Sequence, residues 1–268
     1  MALVSDGCHM LEHGSYSGVV GTQLLEVTGR AQICAGWLAF DAGNQDVARA
    51  CCAEALALGQ QAEDAQIKTR ALAILAFQGN LSGRPREALR FADAAAQVAV
   101  APGESPRLSA VPQLHRAIAA ALTADGSTTG KAIARARTAI DRDDTGVEEW
   151  SAFLTAAEVD GVEATCAISL GRPKRAVGLL DSAVRVHADR HARNRALYRV
   201  RLARARLDMK VPDGAAEAAS AALDDLADDV ASWRVTHELD AVAAGLRLYP
   251  REHGVQAFLD RYDASRLA

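Results

Sequence analysis

The sequence predicts an all-α fold built as a linear array of helical hairpins, and three observations carry that expectation. Half of its 268 residues are hydrophobic while aromatics make up only 4%, so the core must rest on small side chains, above all alanine, the strongest helix former. The isoleucine, valine and threonine clusters that announce strands are missing. Two stretches are near-copies, Ser82-Gly-Arg-Pro-Arg-Glu-Ala-Leu89 and Leu170-Gly-Arg-Pro-Lys-Arg-Ala-Val177. In each, glycine closes one helix and proline sits in the first turn of the next, the asymmetry of a helical hairpin.

Residues 1–20 are weakly periodic and read as a frayed or short helical lead-in, with residues 21–268 as the repeat domain. The pattern places helix pairs near 24–43 with 45–60, 65–81 with 85–100, 106–124 with 129–142, 148–170 with 173–187 and 190–209 with 212–226. A divergent last pair, 229–248 with 252–264, closes the array, because a terminal repeat turns one face to water. The stretches Ala101–Pro106 and Asp141–Gly146 carry loop composition.

A ladder of small residues runs through these pairs. The first carries Gly36, Gly43, Ala48 and Ala55, at steps of seven, five and seven. Ala76, Gly83, Ala88 and Ala95 repeat those steps, as do Ala164, Gly171, Ala176 and Ala183. A further set, Ala203, Lys210, Ala215 and Ala222, puts lysine at the turn. The third pair, read through Ala119, Gly126, Ala132 and Ala139, needs one extra residue and reads as degenerate. The closest approach of two helices admits only Gly or Ala, and a turn glycine supplies left-handed backbone. The pattern resembles the tetratricopeptide signature, with turns about 40 residues apart where the family's period is ~34. The resemblance implies a right-handed α-solenoid of five hairpins and a capping pair.

Charge and cysteine content narrow the class. A net charge of -4 does not suit a chain that coats itself in nucleic acid. Five cysteines, Cys8, Cys34, Cys51, Cys52 and Cys166, are odd in number and mostly lie within helical patterns. They read as small hydrophobes in a reducing cytoplasm, not as a disulfide framework. No signal-peptide pattern and no apolar run of membrane-spanning length is present, so a cytoplasmic location is expected.

One stretch is more specific. Gly36-Trp-Leu-Ala-Phe-Asp-Ala-Gly43, followed by Ala48-Arg49 and Glu54-Ala-Leu56, resembles the C-terminal tetratricopeptide-like region of actinobacterial helix-turn-helix (XRE-type) transcriptional regulators. Gly83-Arg-Pro-Arg-Glu-Ala-Leu89, Leu170-Gly-Arg-Pro173, Asn194-Arg-Ala-Leu-Tyr198 and Ser232-Trp-Arg234 fit the same pattern. The resemblance spans roughly residues 20–245 and implies a sensing or partner-binding role. Those regulators carry a DNA-binding domain ahead of the array, whereas about 20 residues precede it here. Direct DNA recognition is therefore not expected.

In such an array the first helix of each pair lines a concave groove. The residues beside the small positions are Arg30, Trp37 and Phe40, then Arg70, Phe77 and Asn80, then Gln113, Arg116 and Thr123, then Glu158 and Thr165, and Arg204. Arginine forks grip carboxylates and aromatic faces supply apolar area, so the groove suits a peptide, a small acidic ligand or a protein partner. The opposing expectation is that Trp37, Phe40 and Phe77 are core and that Arg30 and Arg70 pair with acidic neighbours. Eight arginines fall between Arg185 and Arg206 against the single acid Asp189; ion pairs to Glu158, Asp160 and Glu163 are the plain reading, an anion pocket or acidic partner the sharper one.

Catalytic patterns are sparse. Cys8, His9 and His13 lack a second ligand cluster, and His115 beside Arg116 and His237 near Asp240 suit helix-surface contacts. With no phosphate loop, nucleophile elbow or zinc spacing, neither cofactor nor metal is expected. The expectation is a regulatory or adaptor protein, with a homodimer through an exposed end of the array as a further arrangement. An enzyme of specialised metabolism with its site in the same groove is the alternative.

Overall fold

The computed structural model describes residues 2–142, 149–151, 153–186, 192–226 and 232–266. All of its regular structure is helical, with no strand among the described residues. The chain divides into two compact units, Met1–Thr155 and Ala156–Ala268.

The first unit runs α1 (Ala2–His13), α2 (Gly18–Asp41), α3 (Gln45–Gln61), α4 (Ala65–Leu81), α5 (Pro85–Val98), a 3₁₀ turn at Pro106–Ser109, α6 (Ala110–Leu122), α7 (Gly126–Asp141) and a 3₁₀ turn at Glu149–Ser151. Here α2 packs on α3, α4 on α5 and α6 on α7, while α4 also touches both α2 and α6. The second unit runs α8 (Ala156–Ser169), α9 (Pro173–Val186), α10 (Ala192–Asp208), α11 (Pro212–Leu226), α12 (Trp233–Leu246) and α13 (His253–Ser265). There α8 packs on α9 and α10 on α11, and the closing helices α12 and α13 lie on α10 and α11 respectively.

Six inter-helix turns share one hydrogen bond, in which a backbone N–H reaches the carbonyl five residues back. The pairs are Asn44 to Ala39, Asp64 to Gly59, Arg84 to Gly79, Asp125 to Ala120, Arg172 to Ala167 and Val211 to Arg206. The residue before each donor is left-handed: Gly43, Glu63, Gly83, Ala124, Gly171 and Lys210 all have φ between 55° and 84°. This is the Schellman stop, which satisfies carbonyls that a helix end would otherwise orphan. Asn44, Asp64 and Asp125 then cap the following helix, each accepting the N–H three residues on. Pro85, Pro173 and Pro212 open α5, α9 and α11, where the missing N–H is not needed.

The alanines of the ladder are buried to within 1% of complete in the first, second, fourth and fifth pairs. In the third pair the expected register is corrected. The left-handed turn residue is Ala124, and Gly126 already belongs to α7. Counting from Ala124, the steps of seven, five and seven return as Ala117, Ala124, Thr129 and Ala136. Ala117, Thr129 and Ala136 are buried, and the Thr129 hydroxyl donates to the Ala117 carbonyl at 3.4 Å. The repeat is regular, with alanine at the turn and threonine at the close approach.

Several helix limits move. The lead-in takes the helical form of the two expected, as α1 packed on α2, while α2 begins earlier than expected, at Gly18 behind the Ser17 cap. The helix expected from 148 begins at Ala156, after the 3₁₀ turn and an irregular stretch ending at Thr155. Most of the Asp141–Gly146 loop lies outside the described residues. Cys51, Cys52 and Cys166 are buried as expected, and burial pushes the Cys52 and Cys166 thiols up to about 12. Cys34, by contrast, is exposed and Cys8 half-buried. No described helix is long and apolar enough to cross a membrane.

Candidate functional site

In the first unit, α2, α4 and α6 present an aromatic row. Trp37 stacks on Phe77, with ring centroids 6.1 Å apart and planes inclined by 17°. Phe77 stacks in turn on His115, at 5.2 Å and 27°. Phe40 supports both, 5.7 Å from Trp37 and 5.0 Å from Phe77, but it is wholly buried and faces no solvent. Trp37, Phe77 and His115 keep part of their surface accessible. Each ring pair contributes about 0.5–1.5 kcal/mol beyond the area it buries.

The row is uncharged at neutral pH. Burial pulls the His115 imidazole down to about 4, because the imidazolium would lose its hydration. Its Nδ1 is buried without a hydrogen-bond partner. Asn80, one turn beyond Phe77, donates its amide to the His115 carbonyl at 3.0 Å, while its own Oδ1 is buried and unpartnered. These contacts tie α4 to α6 at the end of the row.

The arginines expected in the groove are engaged by the chain itself. Arg30 lies 3.6 Å from Asp64 and 3.7 Å from Glu26, and Arg116 lies 3.1 Å from Asp93. The Arg70 guanidinium lies over the Trp150 ring, 5.6 Å from its centroid. The 3₁₀ turn carrying Trp150 is thus brought against α4, and Arg107 holds the same stretch by donating to the Leu154 carbonyl at 2.6 Å. Gln113 is buried with its Oε1 unpartnered, and the Thr123 hydroxyl folds back onto the Ala120 carbonyl.

Glu158, Thr165 and Arg204 belong to the second unit. Glu158 accepts the Tyr198 hydroxyl at 2.5 Å; burial first, and then this carboxylate, push the phenol well above its ordinary range. Thr165 bonds the Gly161 carbonyl, and Arg204 is an exposed residue 3.2 Å from Asp208 on its own helix. Several arginines of α10 find acids on later helices, and Arg206 also lies 3.6 Å from Asp181 on α9. Arg195 and Arg199 converge on buried Asp225 at 2.7 and 2.8 Å. Arg201 grips Glu238 with two bonds, at 3.0 and 2.8 Å. Arg206 reaches the Gly214 carbonyl and Glu217. Arg190 and Asp189 lie outside the described residues.

Two features escaped the sequence reading. Trp150 sits in a stretch expected to be helix, so nothing aimed it at Arg70. The second is a polar clasp between the first-unit hairpins, where Gln78 donates to the Gln45 carbonyl at 2.7 Å and accepts from Arg49 at 3.3 Å. Arg49 also pairs with Glu87; long side chains from three helices meet there, and helical spacing alone does not reveal it. The two histidines expected at helix-surface contacts both stack on aromatic rings, His115 on Phe77 and His237 on Trp233 at 4.9 Å and 11°. Asp240 instead accepts the Tyr262 hydroxyl at 2.6 Å and pairs with Arg266.

No protein-family model matches the chain, and no curated protein matches it.

Proposed function

We propose that this protein is a regulatory or adaptor module, a right-handed tetratricopeptide-like α-solenoid that binds a peptide or a protein segment on the first-helix faces of its N-terminal unit. The single observation behind this reading is the partly accessible row Trp37–Phe77–His115, which crosses α2, α4 and α6. A row of flat, uncharged rings on three successive helices suits extended chain carrying aromatic or aliphatic side chains. The repeated Schellman turns and the regular small-residue ladder support the solenoid, and the resemblance to the sensing regions of actinobacterial regulators agrees with a binding role. A small carboxylate ligand draws less support, since Arg30, Arg70 and Arg116 each have a partner within the chain.

The test is selection of a random dodecapeptide display library on the full chain, followed by calorimetric titration of the winning peptides. Aromatic or aliphatic winners that bind Trp37→Ala and His115→Ala at least tenfold more weakly support the reading. Winners indifferent to both substitutions refute it.

A further inference from the structure

We infer that the exposed cationic face of α5 and α7 is a docking surface for an acidic segment of a partner protein. It lies on the second helices of the hairpins, whereas the aromatic row lies on the first helices α2, α4 and α6, so the two surfaces are tested separately.

Four residues make the face. Arg86 and Arg90 on α5, and Lys131 and Arg135 on α7, are all exposed. The small-residue ladder gives them a common register: Arg90 follows Ala88, and Lys131 follows Thr129, by two positions. Two positions turn the helix by about 200°, which sets both cations on the side away from the contact that buries Ala88 and Thr129. Arg86 precedes Ala88 by the same two and lies within about 40° of Arg90, and Arg135 is about one turn on from Lys131. Both helices pack on α6, so the two pairs flank one helix of the first unit.

None of the four forms an ion pair among the described residues. On α5 the acids are taken by other arginines, Glu87 by Arg49 and Arg84 and Asp93 by Arg116. On α7 Asp125 caps the helix, its carboxyl held low by hydrogen bonds from Thr128 first and by Lys131 last. Asp141 stands about 9 Å beyond Arg135 along the helix. A chain of net charge -4 thus keeps a local excess of positive charge, which attracts a complementary anionic surface.

The neighbouring repeat identifies the occupant. At the same ladder places α3 carries Asp46 where α5 has Arg86, Ala50 where α5 has Arg90 and Glu54 where α7 has Arg135, all exposed. A nucleic-acid duplex running on past α5 would carry its phosphates onto these carboxylates. Nor is there a ring for a base to stack on: α7 holds no aromatic residue, and Phe91 of α5 lies under the Arg49 guanidinium. A short acidic segment of protein stops before α3. Extended, with acids at alternate residues, it repeats its carboxylates about every 6.6 Å. That matches the rise of about 6 Å from Arg86 to Arg90 and from Lys131 to Arg135. Three of the four cations are arginines, whose forks grip a carboxylate with two bonds.

The test is fluorescence anisotropy on the full chain at about 50 mM salt, where exposed charges are weakly screened. Two labelled probes are used, a decapeptide alternating glutamate with serine and a short DNA duplex. The peptide is expected to bind, and Arg90→Glu with Lys131→Glu to weaken it at least tenfold with unchanged helicity. Ala50→Lys extends the face onto α3, at the place Arg90 and Lys131 hold in their repeats. It should tighten peptide binding, a gain that loss of folding would not produce. The inference is overturned by a peptide that fails to bind at about 1 mM protein, or by binding indifferent to either change. A duplex that binds more tightly than the peptide, and is lost in the same double variant, overturns it as well.

Discussion

Gly161 on α8 lies beneath the Tyr198 ring of α10 so closely that a Cβ there would stand 2.4 Å from the nearest ring carbon. That gap sets the register of the two helices and delivers the Tyr198 hydroxyl to Glu158. Gly161→Ala is expected to destabilise the second unit by about 1–3 kcal/mol through overpacking, even though alanine in a helix is worth up to about 1 kcal/mol over glycine. Urea titration measures the balance. A variant as stable as the parent would mean that the ring has room to move.

Asp225 is held between Arg195 and Arg199 with only 4% of its side chain exposed. Removing it takes away the buried carboxylate that both guanidinium groups grip from partly buried positions. Asp225→Ala should therefore cost about 3–5 kcal/mol, seen as a lower denaturation midpoint. Asp208→Ala, at the exposed Arg204 pair, should change stability by less than about 1 kcal/mol.

Stability should fall in acid through His115. Its folded-state value of about 4 lies below the ordinary 6.5, so between these values the unfolded chain takes up a proton that the folded chain refuses. The contribution is complete above pH 6.5 and declines as the pH drops toward 4, by about 3 kcal/mol in total. His115→Phe keeps the stack on Phe77 and removes this dependence. Melting temperatures of the two proteins at pH 7 and pH 4.5 should differ in slope accordingly.

Lys210 and Ala124 hold left-handed turns, at φ 64° and 61°, where a Cβ is strained by roughly 1–2 kcal/mol. Lys210→Gly and Ala124→Gly should each raise the melting temperature, since relief of strain outweighs the added freedom of the unfolded chain. Gly83→Ala, at φ 66°, should lower it. If all three moved together, the turns would not be limiting stability.

Much of the fold is legible in the sequence because it rests on local rules. Turn glycines and prolines mark helix ends through backbone geometry alone, and the alanine ladder marks close approaches through side-chain volume. The third repeat shows where that reasoning slips. Gly126 attracts the turn assignment, yet a Schellman stop follows from the hydrogen bond to Ala120 and accepts Ala124 at a modest cost. The long helix expected from 148 failed for a related reason, since no local signal separates a 3₁₀ turn docked by Trp150 and Leu154 from the start of a helix.

The candidate site divides differently. Trp37 and Phe77 were identifiable as neighbours of small ladder positions, and the structure brings them together. His115 joining them, Phe40 withdrawing beneath them and Trp150 covering Arg70 were not legible, because each depends on which turn of one helix meets which turn of another. Several destinations of the α10 arginines were equally hidden, since Asp225, Glu238 and Glu217 lie on helices that come later in the chain. By itself, then, the sequence determined the helices, their stops and the faces on which small residues must lie, all consequences of backbone geometry within a few residues. Tertiary structure alone decided which aromatic rings stack and which arginines are already paired, because contacts between distant side chains depend on helix register and packing.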